Sequence, residues 1–169
     1  MVTSTPPILL YNTSSMMTNS NSMSLVTIGT VRSPLKEPTF ERLNLSEITS
    51  EIVIDESLTG ALDGLEGFSH IIVLYWMHRA TREKNRLKTH PMGRQDVPPQ
   101  GLFATRSPNR PNPIGKTTVR LLERNGNVLK VQGLDAIDGT PVIDIKPYIP
   151  GYDSATNATT PDWVVREED

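Results

Sequence analysis

Apolar and polar residues alternate with a period near two through most of the second half of the chain, the pattern of half-buried strands. Lys116 to Glu123 (KTTVRLLE) and Pro141 to Lys146 (PVIDIK) both read this way. Val128 to Leu134 reads as the partner of the first. Arg124-Asn125-Gly126-Asn127 lies between them as a hairpin turn, with Asn-Gly at its centre predicting type I′ geometry. Earlier in the chain, Leu25 to Val31 is a β-rich run that closes at Ser33-Pro34, and Glu51 to Ile54 is a short strand. Phe68 to Met77 (FSHIIVLYWM) is the most apolar stretch. It is too short for a membrane helix and rich in β-branched and aromatic residues, which predicts a central strand.

The connections are punctuated. Leu58 to Gly67 predicts a glycine-broken turn or short helix, Thr81 to Arg86 a helical turn, and Pro91 to Gly101 a long loop. Leu102-Phe103-Ala104 is expected as a short strand, and Pro147 onward as a tail or closing arm. Met1 to Ser24 is rich in Ser, Thr, Asn and Met without periodicity. It reads as a disordered tail, or as translation from an upstream start with Met23 near the true beginning. Short strands, little helix and many turns predict an all-β barrel or sandwich with short helical turns and long loops. The long helices and the G-x-G-x-x-G turn of a doubly wound nucleotide-binding domain are missing, so the fold is expected to be non-Rossmann. The division is residues 1–24 as tail, 25–150 as the barrel domain and 151–169 as a C-terminal arm or tail.

Composition narrows the classes. The 169 residues suffice for one core, and the absence of cysteine excludes disulfides and thiolate metal sites. No metal is expected, because His70, His78 and His90 lack ligand spacing. No apolar run reaches membrane-spanning length, and no basic region precedes Ile8-Leu9-Leu10 as in a secretory signal. A soluble cytoplasmic protein without membrane partners is the expectation. Net charge is -2, but it is unevenly spread. From His78 to Arg120 there are ten Lys and Arg against two acids; the rest of the chain has seven against seventeen. A basic block inside an acidic protein can be an anion site or simply a solvated charged face.

Three segments just beyond predicted strands could carry chemistry. One is His78-Arg79, and one is Leu134-Asp135-Ala136-Ile137-Asp138-Gly139-Thr140-Pro141. The third is RSPNRPNPIG, Arg106 to Gly115. Its prolines forbid helix and central strand, so it is a stiff extended loop presenting guanidinium and amide groups. Asp135 and Asp138 are equally at home as turn caps. Arg110, Asn109 and Asn112 either touch a ligand or hold the loop through its backbone.

Taken together, these stretches resemble the TsaA-like (YaeB-type) family of S-adenosylmethionine-dependent tRNA adenine N6-methyltransferases. The resemblance rests on Ile28 to Pro34 (IGTVRSP), Leu65 to His70 (LEGFSH), Gly101 to Ser107 (GLFATRS), Arg110 to Gly115 (RPNPIG), and Asp138 to Val142 (DGTPV) running on to Asp144 to Tyr148 (DIKPY). It covers about Leu25 to Pro150. It implies a β-barrel methyltransferase working as a homodimer, with the cofactor S-adenosyl-L-methionine near the subunit interface. The implied reaction is methylation of N6 of threonylcarbamoyladenosine beside the anticodon of a tRNA. The longer bacterial relatives carry a C-terminal extension that this chain does not show.

The resemblance also assigns roles. The cofactor site would comprise His78, Arg79, Arg106, Lys116, Thr117, Leu134, Asp135, Ala136, Ile137 and Asp138. Arg106 offers a rigid fork of donors for a carboxylate or ribose oxygen, and Asp135 and Asp138 suit an ammonium or ribose hydroxyls. The backbone from Leu134 to Asp138 could read an adenine edge, with Lys116 and Thr117 closing the pocket. Asp138 is the candidate acceptor for the N6 proton. Arg82, Lys84, Arg86, Lys88, Arg94 and Arg110 would meet RNA phosphates. Two rivals remain: a module that binds S-adenosylmethionine or RNA without transfer, and methyl transfer to a small molecule.

Overall fold

The structure, a computed structural model, describes residues 23–38, 44–81 and 86–164. The helical turn expected from Thr81 to Arg86 falls largely outside these residues, as does nearly all of the Met1 to Ser24 segment.

Eight strands follow in chain order: β1 (Gly29–Arg32), β2 (Thr49–Ile54), β3 (His70–Trp76), β4 (Lys88–Thr89), β5 (Gln100–Gly101), β6 (Ile114–Asn125), β7 (Val128–Gln132) and β8 (Pro141–Pro147). Six of them close a barrel in the order β1-β2-β7-β6-β3-β8, with antiparallel pairing at every seam. Closure removes the free edges that short strands would otherwise expose. β4 and β5 form a separate two-stranded ribbon. One helical turn, α1 (Pro150–Asp153), follows β8.

Alternation explains the interior. Val31, Ile52, Ile54, Ile71, Val73, Tyr75, Val119, Leu129, Val131 and Val142 point inward from six strands and form one cluster with Leu62, Leu134 and Ala136. The outward positions differ from wall to wall. Across β1, β2, β7 and β6 the register sets Arg32 opposite Glu51, Glu51 opposite Lys130, and Lys130 opposite Glu123. Signs alternate, so this wall is electrically balanced. On β3 the outward residues Ile72 and Trp76 are buried nonetheless. The segment between β3 and β6 likewise contributes buried residues outside the barrel cluster, Pro91, Val97 and Leu102.

The all-β barrel expectation holds, with local corrections. The first strand begins at Gly29 rather than Leu25, because Gly29 pairs with Ile54, the last residue of β2. Leu102–Ala104 is a 3₁₀ turn, not a strand. The Leu102 carbonyl accepts from the Thr105 N–H, the Thr105 hydroxyl and Arg110, and this closes the turn. The β6–β7 hairpin has Gly126-Asn127 at its centre, since Asn125 pairs with Val128. Positive φ occurs there only at Gly126, the type II′ pattern rather than I′. The Leu58 to Gly67 region is two 3₁₀ turns, Glu56–Leu62 and Leu65–Gly67. Arg124 staples them to β6 by donating to Asp63, Glu66 and the Leu62 carbonyl.

Candidate functional site

The most informative side chain is one the pattern of hydrophobicity hides. Tyr75 sits on an inward position of β3, opposite Gly115 of β6. A Cβ at Gly115 would lie 2.2 Å from the Tyr75 ring, so only glycine lets the ring occupy this place. The ring's hydroxyl donates to the Asp135 carbonyl at 2.5 Å and lies 3.1 Å from Thr117 Oγ1. Burial, helped by the negative charge of Asp135, pushes the phenol up to about 12, so it remains a neutral donor. Tyr75 thereby ties β3, β6 and the β7–β8 connection at one point.

That connection is anchored by alternation as well. Leu134 and Ala136 are buried, and Asp135 between them turns outward. Burial of the Asp135 carboxyl raises its pKa, and the Arg106 guanidinium opposes the rise. The same guanidinium acts on the Tyr75 phenol. Arg106 is itself exposed and comes from the proline loop. Of the residues that the resemblance assigned to one site, Thr117 and Asp135 meet at Tyr75, with Leu134 and Ala136 flanking Asp135 and Arg106 acting on it electrostatically; Tyr75 itself was not among the candidates.

The other proposed residues lie differently. Asp138 accepts from the Ser33 N–H at 2.9 Å and from Lys36 Nζ at 3.0 Å. These partners hold its carboxyl below the ordinary range, the Ser33 N–H contributing most. The Ile137 carbonyl accepts from the Thr140 N–H and closes the turn. His78 and Arg79 occupy the turn after β3; Arg79 pairs with Glu37. Burial and neighbouring Arg79 lower the His78 pKa, which favours the neutral imidazole. Lys36 and Glu37 thus link the Asp138 turn to the Arg79 turn, a bridge with no signal in the sequence beyond its place after Ser33-Pro34. Lys116 is on the outer face of β6, its Nζ 3.1 Å from Thr118 Oγ1, and so on the opposite face from Thr117. A polar depression of about 530 Å3, bounded by Arg32, Lys36, Ser50, Glu51, Lys130 and Asp138, shares only Asp138 with the expected set.

The proline loop is held by its own arginine. Arg110 donates to the carbonyls of Ser107 (3.0 Å), Thr105 (2.6 Å) and Leu102 (3.4 Å). Asn109 accepts from the Thr81 hydroxyl through its side chain, and the Asn112 carbonyl accepts from the Ile114 N–H. Of the basic residues expected to meet RNA, Arg82 and Lys84 lie outside the described residues. Arg86 bonds the Lys88 carbonyl, and Lys88 is exposed on β4. Arg94 pairs with Asp96 and reaches the Trp163 carbonyl, binding the C-terminal segment to the loop. Among the described residues no group of three His, Cys, Asp or Glu could hold a metal, and no helix is long and apolar enough to cross a membrane.

Comparison with known proteins supports the fold and the family. The chain is 50% identical over 131 residues to a "Probable S-adenosyl-L-methionine-binding protein" of Methanothermobacter thermautotrophicus, covering 75% of this chain and 90% of that one. A protein of the same description from Archaeoglobus fulgidus is 49% identical over 135 residues, 78% of this chain but only 35% of its own length. The human tRNA (adenine(37)-N6)-methyltransferase is 44% identical over 101 residues, 60% of this chain and 23% of the human protein. A crystal structure of TrmO from Pseudomonas aeruginosa superposes with a TM-score of 0.69 at 31% identity, covering 86% of this chain and 63% of that one. The family model described as tRNA-methyltransferase O N-terminal domain matches residues 31–154, and the chain belongs to that family.

Proposed function

We propose that this chain is an S-adenosylmethionine-dependent methyltransferase acting on N6 of threonylcarbamoyladenosine beside the anticodon of tRNA. The observation that carries it is that Tyr75 fixes Asp135 through its carbonyl, within electrostatic reach of Arg106, on a barrel of this family. The donor set fits the cofactor: a guanidinium for a carboxylate or ribose oxygen, a carboxylate for an ammonium or ribose hydroxyls, and a backbone stretch for an adenine edge. When bound, S-adenosylmethionine would supply an electrophilic methyl on a sulfonium leaving group.

The chain's own residues then have mainly positional tasks. Tyr75 holds the Asp135 carbonyl and thereby sets where the Asp135 carboxyl faces. Arg106 and Asp135 would orient the cofactor through its oppositely charged groups. A proton acceptor near N6 assists transfer, since the threonylcarbamoyl N–H is more acidic than that of adenine. Asp138 would have to release Lys36 to serve, and its lowered pKa makes it a weak base. Asp135, which this reading commits to the cofactor, is not free for the task, so a main-chain carbonyl or water is the alternative acceptor. Asp138 then shapes the turn. A homodimer in the cytoplasm is the assembly and setting this reading assumes.

The relatives named only for binding S-adenosylmethionine favour a second reading, a binding module without transfer. The product decides between them. The protein is incubated with methyl-labelled S-adenosylmethionine and tRNA bearing threonylcarbamoyladenosine. Label mapped to the base beside the anticodon, and lost in Arg106→Ala, is the expected outcome. Cofactor binding without label in any tRNA would reject the transferase reading.

A further inference from the structure

Phe103 is 83% exposed, yet it is not on a loose segment. It is the middle residue of the 3₁₀ turn Leu102–Ala104. Leu102, just before it, is buried, and its N–H donates to the Leu87 carbonyl at the end of the β4–β5 ribbon. The Leu102 carbonyl takes three donors, two from Thr105 and one from Arg110. The turn is therefore clamped from both sides, and the clamp holds a large aromatic ring out in solvent. A ring fixed in this way is pre-organised to meet something flat.

The charge around it indicates what. Lys88 pairs with Gly101 across the ribbon, and Arg106 follows Phe103 by three residues; both are exposed. Along the sequence, the stretch from His78 to Arg120 carries the chain's excess of positive charge, although Arg79 and Arg94 are paired with acids and Arg110 with carbonyls, whereas the β1-β2-β7-β6 wall is balanced by its alternating ladder. An exposed aromatic face beside cations is the arrangement that binds unpaired nucleotides, with stacking on the ring and phosphates on a cation such as Lys88. We infer that Phe103 is a stacking platform for an unpaired base of the RNA substrate. This rests on the tRNA reading above and adds to it the surface that receives the loop.

The test uses the full chain and a fluorescein-labelled anticodon stem-loop RNA, with binding read by anisotropy over a range of salt. Phe103→Ala should weaken binding about tenfold or more, as expected for loss of one base–aromatic stack. Phe103→Leu, which keeps apolar bulk without an aromatic face, should be nearly as weak, and Phe103→Trp should restore affinity. S-adenosylmethionine affinity, read by calorimetry, should be unchanged in all three. The slope of log K against log salt should also be unchanged in Phe103→Ala but shallower in Lys88→Ala, because only the lysine displaces counterions. Wild-type affinity in Phe103→Ala overturns the inference and leaves the transferase reading intact. Loss of S-adenosylmethionine binding, or of a dimer by sedimentation, assigns the ring to cofactor or to a second copy and also overturns it. Failure of the wild-type protein to bind the stem-loop overturns both.

Discussion

Inside the barrel, Val31, Ile52, Val73 and Val131 are wholly buried, and their side chains contribute only apolar surface. In the loop that leads to β6, one half-buried arginine donates to three backbone carbonyls, and His90 Nδ1–H donates to the Arg94 and Val97 carbonyls. The first region is held by exclusion of water and the second by directed polar bonds. The barrel therefore tolerates sequence change that preserves volume and alternation. The loop depends on single side chains whose loss leaves several carbonyls unpaired. The proposed cofactor and RNA contacts, Arg106 and Phe103, lie on the second kind of scaffold, which can present them outward because Arg110 fixes the backbone between and beyond them.

The two regions meet at Tyr75 and Gly115, and the largest effect is expected there. Gly115→Ala sets a methyl 2.2 Å from the Tyr75 ring, too close for any side-chain adjustment within a closed barrel. Overpacking of this kind costs about 3 kcal/mol. In a chain of this size that lowers Tm by roughly 10 °C. Thermal unfolding by circular dichroism checks it. A Tm within a degree or two of wild type would mean that the ring moves aside freely, and that barrel and site are not rigidly joined.

Next in size is a change confined to the loop. Arg110→Ala removes the donor shared by Leu102, Thr105 and Ser107, at about 2 kcal/mol for charge-assisted bonds of this geometry. The barrel has no stake in these bonds. Amide exchange should accelerate from Leu102 to Asn112 while β2, β3 and β7 keep their protection, and proteolysis should begin in the loop. If protection were lost evenly across the barrel, the division drawn between the two regions would be wrong. Arg110→Lys should behave like the alanine variant, because an ammonium cannot span three carbonyls as a planar guanidinium does.

The same contrast accounts for what could be read from residues alone. Alternation exposes a barrel because inward positions must be apolar; FSHIIVLYWM, KTTVRLLE and PVIDIK all land on strands. It fails wherever a polar bond overrides composition. Leu-Phe-Ala has strand character, yet its conformation is set by Thr105 and by Arg110 eight residues from Leu102. Tyr75 reads as one more core residue because its hydroxyl partners, Thr117 and Asp135, are 42 and 60 positions away. Lys36 and Glu37 look like ordinary loop charges until the fold brings Asp138 and Arg79 to them. Arg106 and Asp135 could be named because they stand in distinctive motifs, but their common dependence on Tyr75 and Gly115 could not.

The smallest expected effect lies where the β7–β8 turn is pinned to the exit of β1. Asp138 binds the Ser33 N–H and Lys36, and both favour its charged form, so its folded pKa is below the unfolded value of about 4. Between the two values the unfolded chain binds more protons than the folded one. The contribution of Asp138 is therefore complete above about pH 4 and is lost as pH falls through the lower folded pKa. Asp138→Asn keeps an acceptor for Ser33 but gives up the charge facing Lys36. Its Tm should be slightly below wild type at neutral pH, with the gap narrowing as pH falls below about 4 and closing in strong acid. High salt should narrow the gap at neutral pH as well, since the pair is exposed to solvent. A gap that stayed constant from neutral pH into acid would show that Asp138 acts through its shape alone. The ion pair with Lys36 would then contribute nothing to joining the turn to the barrel.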